Sequence, residues 1–426
     1  MKQSIIDSKN LGIAALTGIA TGIIISTFRL GIPYIARLSH HLLMKSEHQI
    51  LFGFLFIGLL LLLAMLASFA LDREPFISGS GIPQVSGQIQ NKLEQKWYSV
   101  LIYKFIGGLA AIGSGLTLGR EGPSVQIGAA IGQGMASLSK SSKEQSKFLI
   151  AGAAGGGMAA AFNAPLSGII FVYEELFHKS SRTSFIYTAL TIILASLTSN
   201  FILGSHPSLT VPVYHGIETP SPIWSIILGI LLGGSGIIFN ASILKANQVY
   251  SQWQLPKWVK HTLPFLITAI ILLKEPQFFG SGENMILLPL IENPSIQILC
   301  FFLLIKWFLL LLAFGSGLPG GIFFPLLALG ALLGNIYGSI LFEFGLINHD
   351  AILYFVILAM SSHFAAIVRA PLTGIILIIE MTGSPLPWLL PIAISSYTAV
   401  ITAEFLGCEP IYESLLDITL TKKGNR

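Results

Sequence analysis

The sequence predicts an all-α polytopic membrane protein made of two repeated halves. Of its 426 residues, 53% are hydrophobic and only 10% are charged, and the mean hydropathy is +0.76. Several almost uncharged runs have about 20 residues, the length that spans the hydrocarbon core of a bilayer. Three sequence blocks also recur in the same order later in the chain. A soluble domain could not bury this much apolar surface, so we interpret the runs as membrane helices.

The apolar runs locate the first of these helices. The clearest runs cover residues 51–71, 184–203, 223–243 and 296–314. An earlier run at 11–26 lacks a small-residue cleavage site and precedes further membrane segments, so we expect a helix that is not cleaved as a signal peptide. Positive charge lies near both ends of the chain, at Lys2, Lys9 and the final TKKGNR. By the positive-inside rule this favours two cytoplasmic termini.

Composition excludes several classes of function. The net charge is only +4 and no basic block resembles a nucleic-acid surface, so no nucleic-acid partner is expected. The two cysteines, Cys300 and Cys408, are too few for a disulfide framework and show no metal-ligand spacing. Neither a GxSxG nor an HExxH motif occurs. We therefore expect no enzymatic activity, no cofactor and no metal.

The repeat is visible in three pairs of matching blocks. KFIGGLAAIGSGLTLGREGPSVQIGAAIG matches KWFLLLLAFGSGLPGGIFFPLLALGALLG without a gap, GSGIPQV matches GSGENMI, and NAPLSGIIFVYEE matches RAPLTGIILIIEM. The pairs begin at Lys104 and Lys306, at Gly79 and Gly280, and at Asn163 and Arg369. Three matched blocks in one order indicate a duplicated architecture.

Glycine and proline interrupt several other apolar segments. Residues 125–138, 148–161 and 165–175 are too short or too glycine-rich for simple spans. Duplicated halves with broken helices are typical of transporters whose site lies near the membrane midplane, between the repeats. We interpret the chain as one transmembrane transporter domain over 1–426, with halves at about 30–215 and 220–406 and a C-terminal helix at about 408–421.

Three glycine-rich turns predict a binding site for an anion. They cover residues 79–83, 119–123 and 320–325, and each places a proline where a helix would start. The unpaired N–H groups of a first helical turn and the helix dipole both attract anions. If the three N-termini converge, their amides enclose a desolvated anion.

Glu121 gives this site a second expected property. Its carboxylate would open a helix within apolar sequence, so when ionised it can occupy the same amides as a permeating anion. When protonated it would leave them. Ionisable residues inside a membrane are commonly functional. A salt bridge with Arg120 is the simpler alternative, but adjacent helical side chains do not face each other.

These motifs together resemble the CLC family of chloride channels and chloride/proton antiporters. GSGIP, GREGP and GGIFFP have the family's order and separation, and KFIGG, FNAPLSGIIFVYEE, VRAPLTGIILIIEM and EPIYESLL extend the resemblance over nearly all of the chain. The resemblance implies two inverted-topology repeats of tilted and re-entrant helices, and a homodimer with one pore per subunit. It also implies chloride as the bound substrate, with protons as its exchange partner. Since no large soluble domain follows the last motif, we expect a prokaryotic plasma membrane protein without C-terminal nucleotide-binding modules.

The resemblance assigns the anion ligands. Ser80, which follows Gly79 in the first turn, and Tyr412 would coordinate the central chloride with their hydroxyls. The backbone amides of Ile322 and Phe323 would complete that site. The alternatives are an ordinary turn serine for Ser80 and an interfacial anchor for Tyr412.

The resemblance also assigns the proton-transfer groups. Glu121 would be the external gate, and the amides from Arg120 to Gly122 would line an outer anion site. Glu175 would be the internal proton-transfer glutamate. A structural acid at a helix end is the alternative for Glu175.

The chain departs from the family in four places. Family antiporters often carry acids where this chain has Gln84 and Ser86, so Lys104 lacks its usual carboxylate partner. Either another acid pairs with Lys104, or its charge helps to hold anions. His363 and Glu404 have no family counterpart, and core packing or a local hydrogen bond is the expected role of both.

The predicted function is secondary active exchange of chloride for protons. The nearest alternative is a passive chloride channel of the same fold, gated by voltage or pH; such channels commonly lack the internal acid found here at Glu175. A fluoride/proton antiporter is less favoured because Ser80 and the 119–123 motif are intact. Serine at position 80, in place of proline, also argues against a preference for nitrate.

Overall fold

The protein is built almost entirely from helices over residues 7–177, 181–209, 220–291 and 294–424, the parts of the chain that the computed structural model describes. The α-helices are α1 Ser8–Ser46, α2 Ile50–Arg73, α3 Ile82–Ile89, α4 Trp97–Gly113, α5 Glu121–Leu138, α6 Lys143–Phe162, α7 Pro165–Phe171, α8 Arg182–Leu203, α9 Pro222–Gln252, α10 Lys257–Leu272, α11 Glu283–Ile286, α12 Leu288–Ile291, α13 Ile296–Gly315, α14 Phe323–Glu343, α15 Ala351–Val368, α16 Pro371–Thr382, α17 Leu389–Phe405 and α18 Ile411–Gly424. A π-helical turn, Val172–Phe177, continues α7.

Eight of the described helices are long and apolar enough to cross a membrane. The runs predicted at 51–71, 184–203, 223–243 and 296–314 lie in α2, α8, α9 and α13, and the run at 11–26 lies in α1. The prediction of a multi-pass membrane protein is therefore confirmed. The segment 165–175 is not a simple span, because α7 has only seven residues before the π-helical turn.

The position of each helix follows from how much of its surface is apolar and enclosed. Every residue in the apolar window of α15 is buried, whereas only 28% of the window of α2 is buried. A helix that is hydrophobic on all sides is stable either in a protein core or against lipid. We conclude that α15 forms the centre of the second half and that α2 offers most of its surface to lipid.

The two halves share the same local stop and start signals. The C-cap residues that follow α6 and α15, Asn163 and Arg369, are both in the left-handed conformation, with φ of 59° and 68°. Proline opens the next helix in each case, at Pro165 and Pro371. These positions are the ones that the matched blocks align.

Reciprocal contacts join the halves. The Glu174 carboxylate accepts hydrogen bonds from the backbone N–H groups that open α16, at 3.0 and 2.7 Å. The Glu380 carboxylate accepts the equivalent pair from the start of α7, at 3.0 and 2.8 Å. Each half thus supplies a glutamate that binds the equivalent helix start of the other half. Reciprocal contacts of this kind indicate that an approximate two-fold axis relates the two halves, as inverted repeats require.

One expected boundary of the repeats falls inside a helix, and another lies outside the described residues. The first half was expected to begin near residue 30, which lies inside the continuous helix α1, and to end near residue 215, which lies outside the described residues. The C-terminal helix expected at 408–421 is α18, which runs from Ile411 to Gly424.

Candidate anion-transport site

The three glycine-rich turns meet at one place in the structure, which is the condition that an anion site between them requires. They open α3, α5 and α14. Gly119 and Gly321 exchange both backbone hydrogen bonds at 2.7 Å, which ties the start of α5 to that of α14. A Cβ atom on Gly122 would lie 2.6 Å from Ser80 Oγ, so the start of α3 is equally close. Three helix N-termini therefore point their unpaired N–H groups at a common region.

Two cavities reach the turns that open these helices. The first, which we call the Ser80 cavity, has a volume of about 520 Å³ and is lined by residues of α2, α3, α9, α10, α13 and α18 together with Gly79 and Ser80. The second, the Glu121 cavity, has a volume of about 530 Å³ and is lined in part by Arg120 and Glu121. The two cavities share no lining residue: Ser80 lines the first and Glu121 the second. The turns that carry these two residues are in contact, and we call the contacting turns the barrier. A short barrier between two cavities is the arrangement that an alternating-access site needs.

Glu121 lies at this barrier. Its side chain is only 1% exposed. A Cβ atom on Gly119 would collide with Glu121 Oε2 and would lie 3.2 Å from the Phe324 backbone nitrogen. The carboxylate thus extends back over its own turn toward the N-terminus of α14. It occupies the region where amides of two helices are available, as expected for a group that competes with an anion.

Ser80 and Tyr412 lie together beside the Glu121 region. Both side chains are 2% exposed, and the Tyr412 hydroxyl lies beside the Ser80 hydroxyl and within electrostatic range of Glu121 and Glu175. Tyr412 Oη is nevertheless a buried hydroxyl without a hydrogen-bond partner among the described residues. Buried hydroxyls normally find an acceptor. An anion beside Ser80 would supply it.

Ile322 and Phe323 contribute backbone groups to the same region. Ile322 is the N-cap of α14 and Phe323 is its first residue. Both side chains are buried, at 0% and 1% exposure. The N–H groups at these positions have no acceptor within the helix. They are available to an anion, which fits the role that the resemblance gives them.

The two adjacent acids, Glu174 and Glu175, differ in their hydrogen-bond partners. Glu174 caps α16 and also accepts a hydrogen bond from the Thr373 hydroxyl at 2.8 Å. Glu175, in the π-helical turn, is 8% exposed and receives no hydrogen bond from the described residues. Glu174 therefore makes a structural contact, while Glu175 is a buried carboxyl without one, which is compatible with the role that the resemblance gives it.

Two buried lysines hold the turns in equivalent ways. Lys104 Nζ donates to the carbonyls of Ile77 and Gly79, both at 2.7 Å. Lys306 Nζ donates to the carbonyls of Phe278 and Gly280 at 2.7 and 2.5 Å. Backbone carbonyls, and not another acid, satisfy the ammonium group of Lys104, so the first of the two alternatives for this residue is wrong. Lys104 thereby fixes the turn that carries Ser80.

The remaining departures from the family have local explanations. Gln84 donates to the Ser78 carbonyl at 2.9 Å, and Ser86 accepts a hydrogen bond from Gln90 at 3.0 Å. His363 is fully buried, and its Nδ1 lies 2.9 Å from the Leu326 carbonyl, as the expected local hydrogen bond requires. Glu404 is exposed near the end of α17, so the expectation of core packing is wrong for that residue.

Sequence reasoning missed the partner of Arg120. Arg120 Nη2 lies 3.9 Å from Glu283 Oε1, across the Glu121 cavity, and the bridge to Glu121 that was considered as the simpler alternative does not form. The reciprocal caps at Glu174 and Glu380 were also missed. For the caps, the repeat was the available signal, because the matched blocks align Glu174 with Glu380. The repeat also places Glu283 in the turn equivalent to that of Ser80, but it does not pair Glu283 with Arg120.

The sequence and the fold match one family. The model of the voltage gated chloride channel family matches residues 60–404, most of the chain. The chain belongs to the voltage-gated chloride channel family. Among curated relatives, the H(+)/Cl(-) exchange transporter ClcA of Vibrio campbellii is 36% identical over 96% of this chain and 89% of its own length. The protein of the same name from Vibrio cholerae is 38% identical over 84% of this chain and 78% of its own length.

Solved structures show that the fold is that of the CLC transporters. The crystal structure of a slow cyanobacterial Cl⁻/H⁺ antiporter matches with a TM-score of 0.91 and 30% identity, over 99% of this chain and 100% of that one. A CLC-type fluoride/proton antiporter matches with a TM-score of 0.76 at 20% identity, over 95% of this chain and 97% of its own, and at that identity the likeness concerns the fold alone. The predicted fold class is confirmed.

Proposed function

We propose that this protein is a secondary active transporter that exchanges chloride for protons across a membrane. The observation that carries the proposal is the position of the Glu121 carboxylate, buried at the barrier between two cavities and beside the amides of α14. The proposal is supported by relatives named as H(+)/Cl(-) exchange transporters and by the match to a Cl⁻/H⁺ antiporter.

The anion pathway runs from the Ser80 cavity to the Glu121 cavity. Chloride entering the Ser80 cavity meets the hydroxyls of Ser80 and Tyr412 and the amides that open α14. Neutral hydroxyl and amide donors replace part of a halide's hydration shell without the strong binding of a full positive charge. Such a site can be occupied and then vacated at the rate that transport needs.

Glu121 couples the anion to the proton. When ionised, its carboxylate occupies the amides that chloride requires, so chloride cannot cross the barrier. A proton neutralises the carboxylate, weakens its attraction to these amides and releases it toward the Glu121 cavity. Chloride then takes the vacated amides. Glu175 supplies or accepts the proton on the other side of the barrier, since it is a buried carboxyl without a structural hydrogen bond.

Orientation and assembly belong to the same proposal. We place both termini in the cytoplasm, because positive charge flanks the chain at each end, and we propose a homodimer in a prokaryotic plasma membrane. In that orientation the Ser80 cavity, which α18 lines, opens to the cytoplasm. The Glu121 cavity then opens to the outside.

A reversal-potential measurement on purified protein in liposomes tests the function. With opposed chloride and proton gradients, an exchanger reverses at a voltage that depends on both gradients, and a chloride gradient alone drives protons uphill. A reversal potential equal to the chloride equilibrium potential at every pH would instead identify a passive channel. Replacing chloride with fluoride in the same assay separates the fluoride-transporting alternative.

A further inference from the structure

Glu283 is a charged residue at the Glu121 cavity to which the mechanism above gives no role. It is the first residue of α11 and follows Gly282, whose φ of 102° makes the turn possible. Its carboxylate lies 3.9 Å from Arg120 Nη2, and the two side chains are 53% and 20% exposed. Glu283 therefore faces the residue that immediately precedes the proposed gate.

The turn that carries Glu283 is held in place by the protein. Lys306 Nζ donates to the carbonyls of Phe278 and Gly280 just before it, and Asn284 Nδ2 donates to the Gln277 carbonyl at 2.8 Å. This turn is the repeat equivalent of the one that Lys104 fixes around Ser80. The carboxylate of Glu283 is thus fixed relative to α5.

The charges around Glu283 come from three other elements. They are Arg120 and Glu121 at the start of α5, Arg29 and His40 of α1, and Lys306 of α13. Among the described residues of α12 and α14 that pack near α11, none adds a charged side chain to the wall of the cavity. Because an ion pair this exposed contributes little to stability, the pair with Arg120 matters mainly through its electrostatic field.

We propose that Glu283 is a positioning residue that sets the pH at which the Glu121 gate opens, by offsetting the charge of Arg120 and adding negative charge beside Glu121. This inference rests on the proposed function. A negative neighbour makes ionisation of Glu121 less favourable, and so does neutralising the adjacent guanidinium. Both effects have the same sign, so Glu283 lets Glu121 take up a proton at higher pH than it otherwise would.

The test is the pH dependence of chloride efflux from liposomes that contain the Glu283→Gln variant. Glutamine keeps the shape and removes both effects, so the midpoint of the efflux curve is expected to move to lower pH by about 0.3–1 unit. Glu283→Asp keeps the charge and should stay near the wild-type midpoint. Glu275→Gln removes an acid that lies outside the cavity wall and should leave the midpoint unchanged.

Three results would overturn the inference. They are an unshifted midpoint in a Glu283→Gln protein that still transports chloride, a shift toward higher pH, and an equal shift in Glu275→Gln. The Glu121→Gln background separates the two proposals. If the Glu121→Gln variant still shows the wild-type pH dependence, the proposed gate itself is wrong. If chloride efflux through Glu121→Gln does not depend on pH and Glu283→Gln alone leaves the midpoint unchanged, only the role of Glu283 is wrong.

Discussion

Gly119→Ala should open the gate without changing any ionisable group. A methyl group at position 119 would take the place of Glu121 Oε2, the atom nearest to a Cβ atom there, and would collide with it. The next contacts, to the Phe324 nitrogen and Pro325 Cδ, are both 3.2 Å and need to yield only by a few tenths of an ångström. Gly119 does not have a positive φ, so alanine fits its backbone.

The size of the effect follows from the cost of the collision. Overpacking a buried site by one methyl group costs about 1–3 kcal/mol, and here the far end of a flexible side chain can relieve it by moving into the Glu121 cavity. Each 1.4 kcal/mol is about a factor of ten in an equilibrium. We therefore expect the carboxylate to occupy the amides roughly 5–150-fold less often than in the wild type.

Chloride efflux from liposomes as a function of pH measures this change. In Gly119→Ala, efflux at neutral and alkaline pH should rise toward the acid plateau of the wild type. Gly234→Ala is a matched control, because a Cβ atom on Gly234 meets nothing within 4 Å. A folded Gly119→Ala protein with unchanged or slower efflux at alkaline pH would refute the assignment of Glu121 to the barrier.

Three further predictions concern the hydroxyls and the paired acids. Ser80→Ala combined with Tyr412→Ala should weaken chloride binding in calorimetry, because both hydroxyl donors are lost; unchanged affinity would remove both residues from the site. Glu175→Gln should keep chloride flux and lose chloride-driven proton pumping, and a variant that still pumps would move the role elsewhere. Glu174→Gln should lower the thermal unfolding temperature and retain pumping. The variant loses the charged acceptor of two backbone N–H groups and of the Thr373 hydroxyl, and each hydrogen bond to a charged group stabilises a protein by about 1.5–3 kcal/mol. Lost pumping without a change in unfolding temperature would contradict the structural role of Glu174.

The sequence predicted the architecture because its signals are local. Runs of about 20 apolar residues and prolines at helix starts depend on neighbouring residues only, so α2, α8, α9 and α13 fall where the runs lie. The convergence of the three N-termini was left open, because the repeat aligns the turn at 119–123 with the one at 320–325 but aligns the turn at 79–83 with a fourth turn that begins at Gly280. The family resemblance then named the site residues, which composition and spacing alone could not have done.

Contacts between distant segments could not be predicted in the same way. The Arg120–Glu283 pair joins turns far apart in sequence, and nothing in either turn specifies the other as partner. The carbonyls that bind Lys104 were missed for a related reason, since a search for a lysine's partner naturally looks for an acid. A buried ammonium is equally well satisfied by backbone carbonyls, which are present at every residue.

The central claim is that one carboxylate, that of Glu121, both blocks the anion pathway and carries the proton. The most direct test is Glu121→Gln, which mimics the protonated side chain, with chloride and proton fluxes measured together in liposomes. The account predicts that chloride flux persists, that proton movement is abolished, and that chloride flux becomes nearly insensitive to pH. A Glu121→Gln protein that still exchanges protons, or that keeps the wild-type pH dependence, would contradict the mechanism.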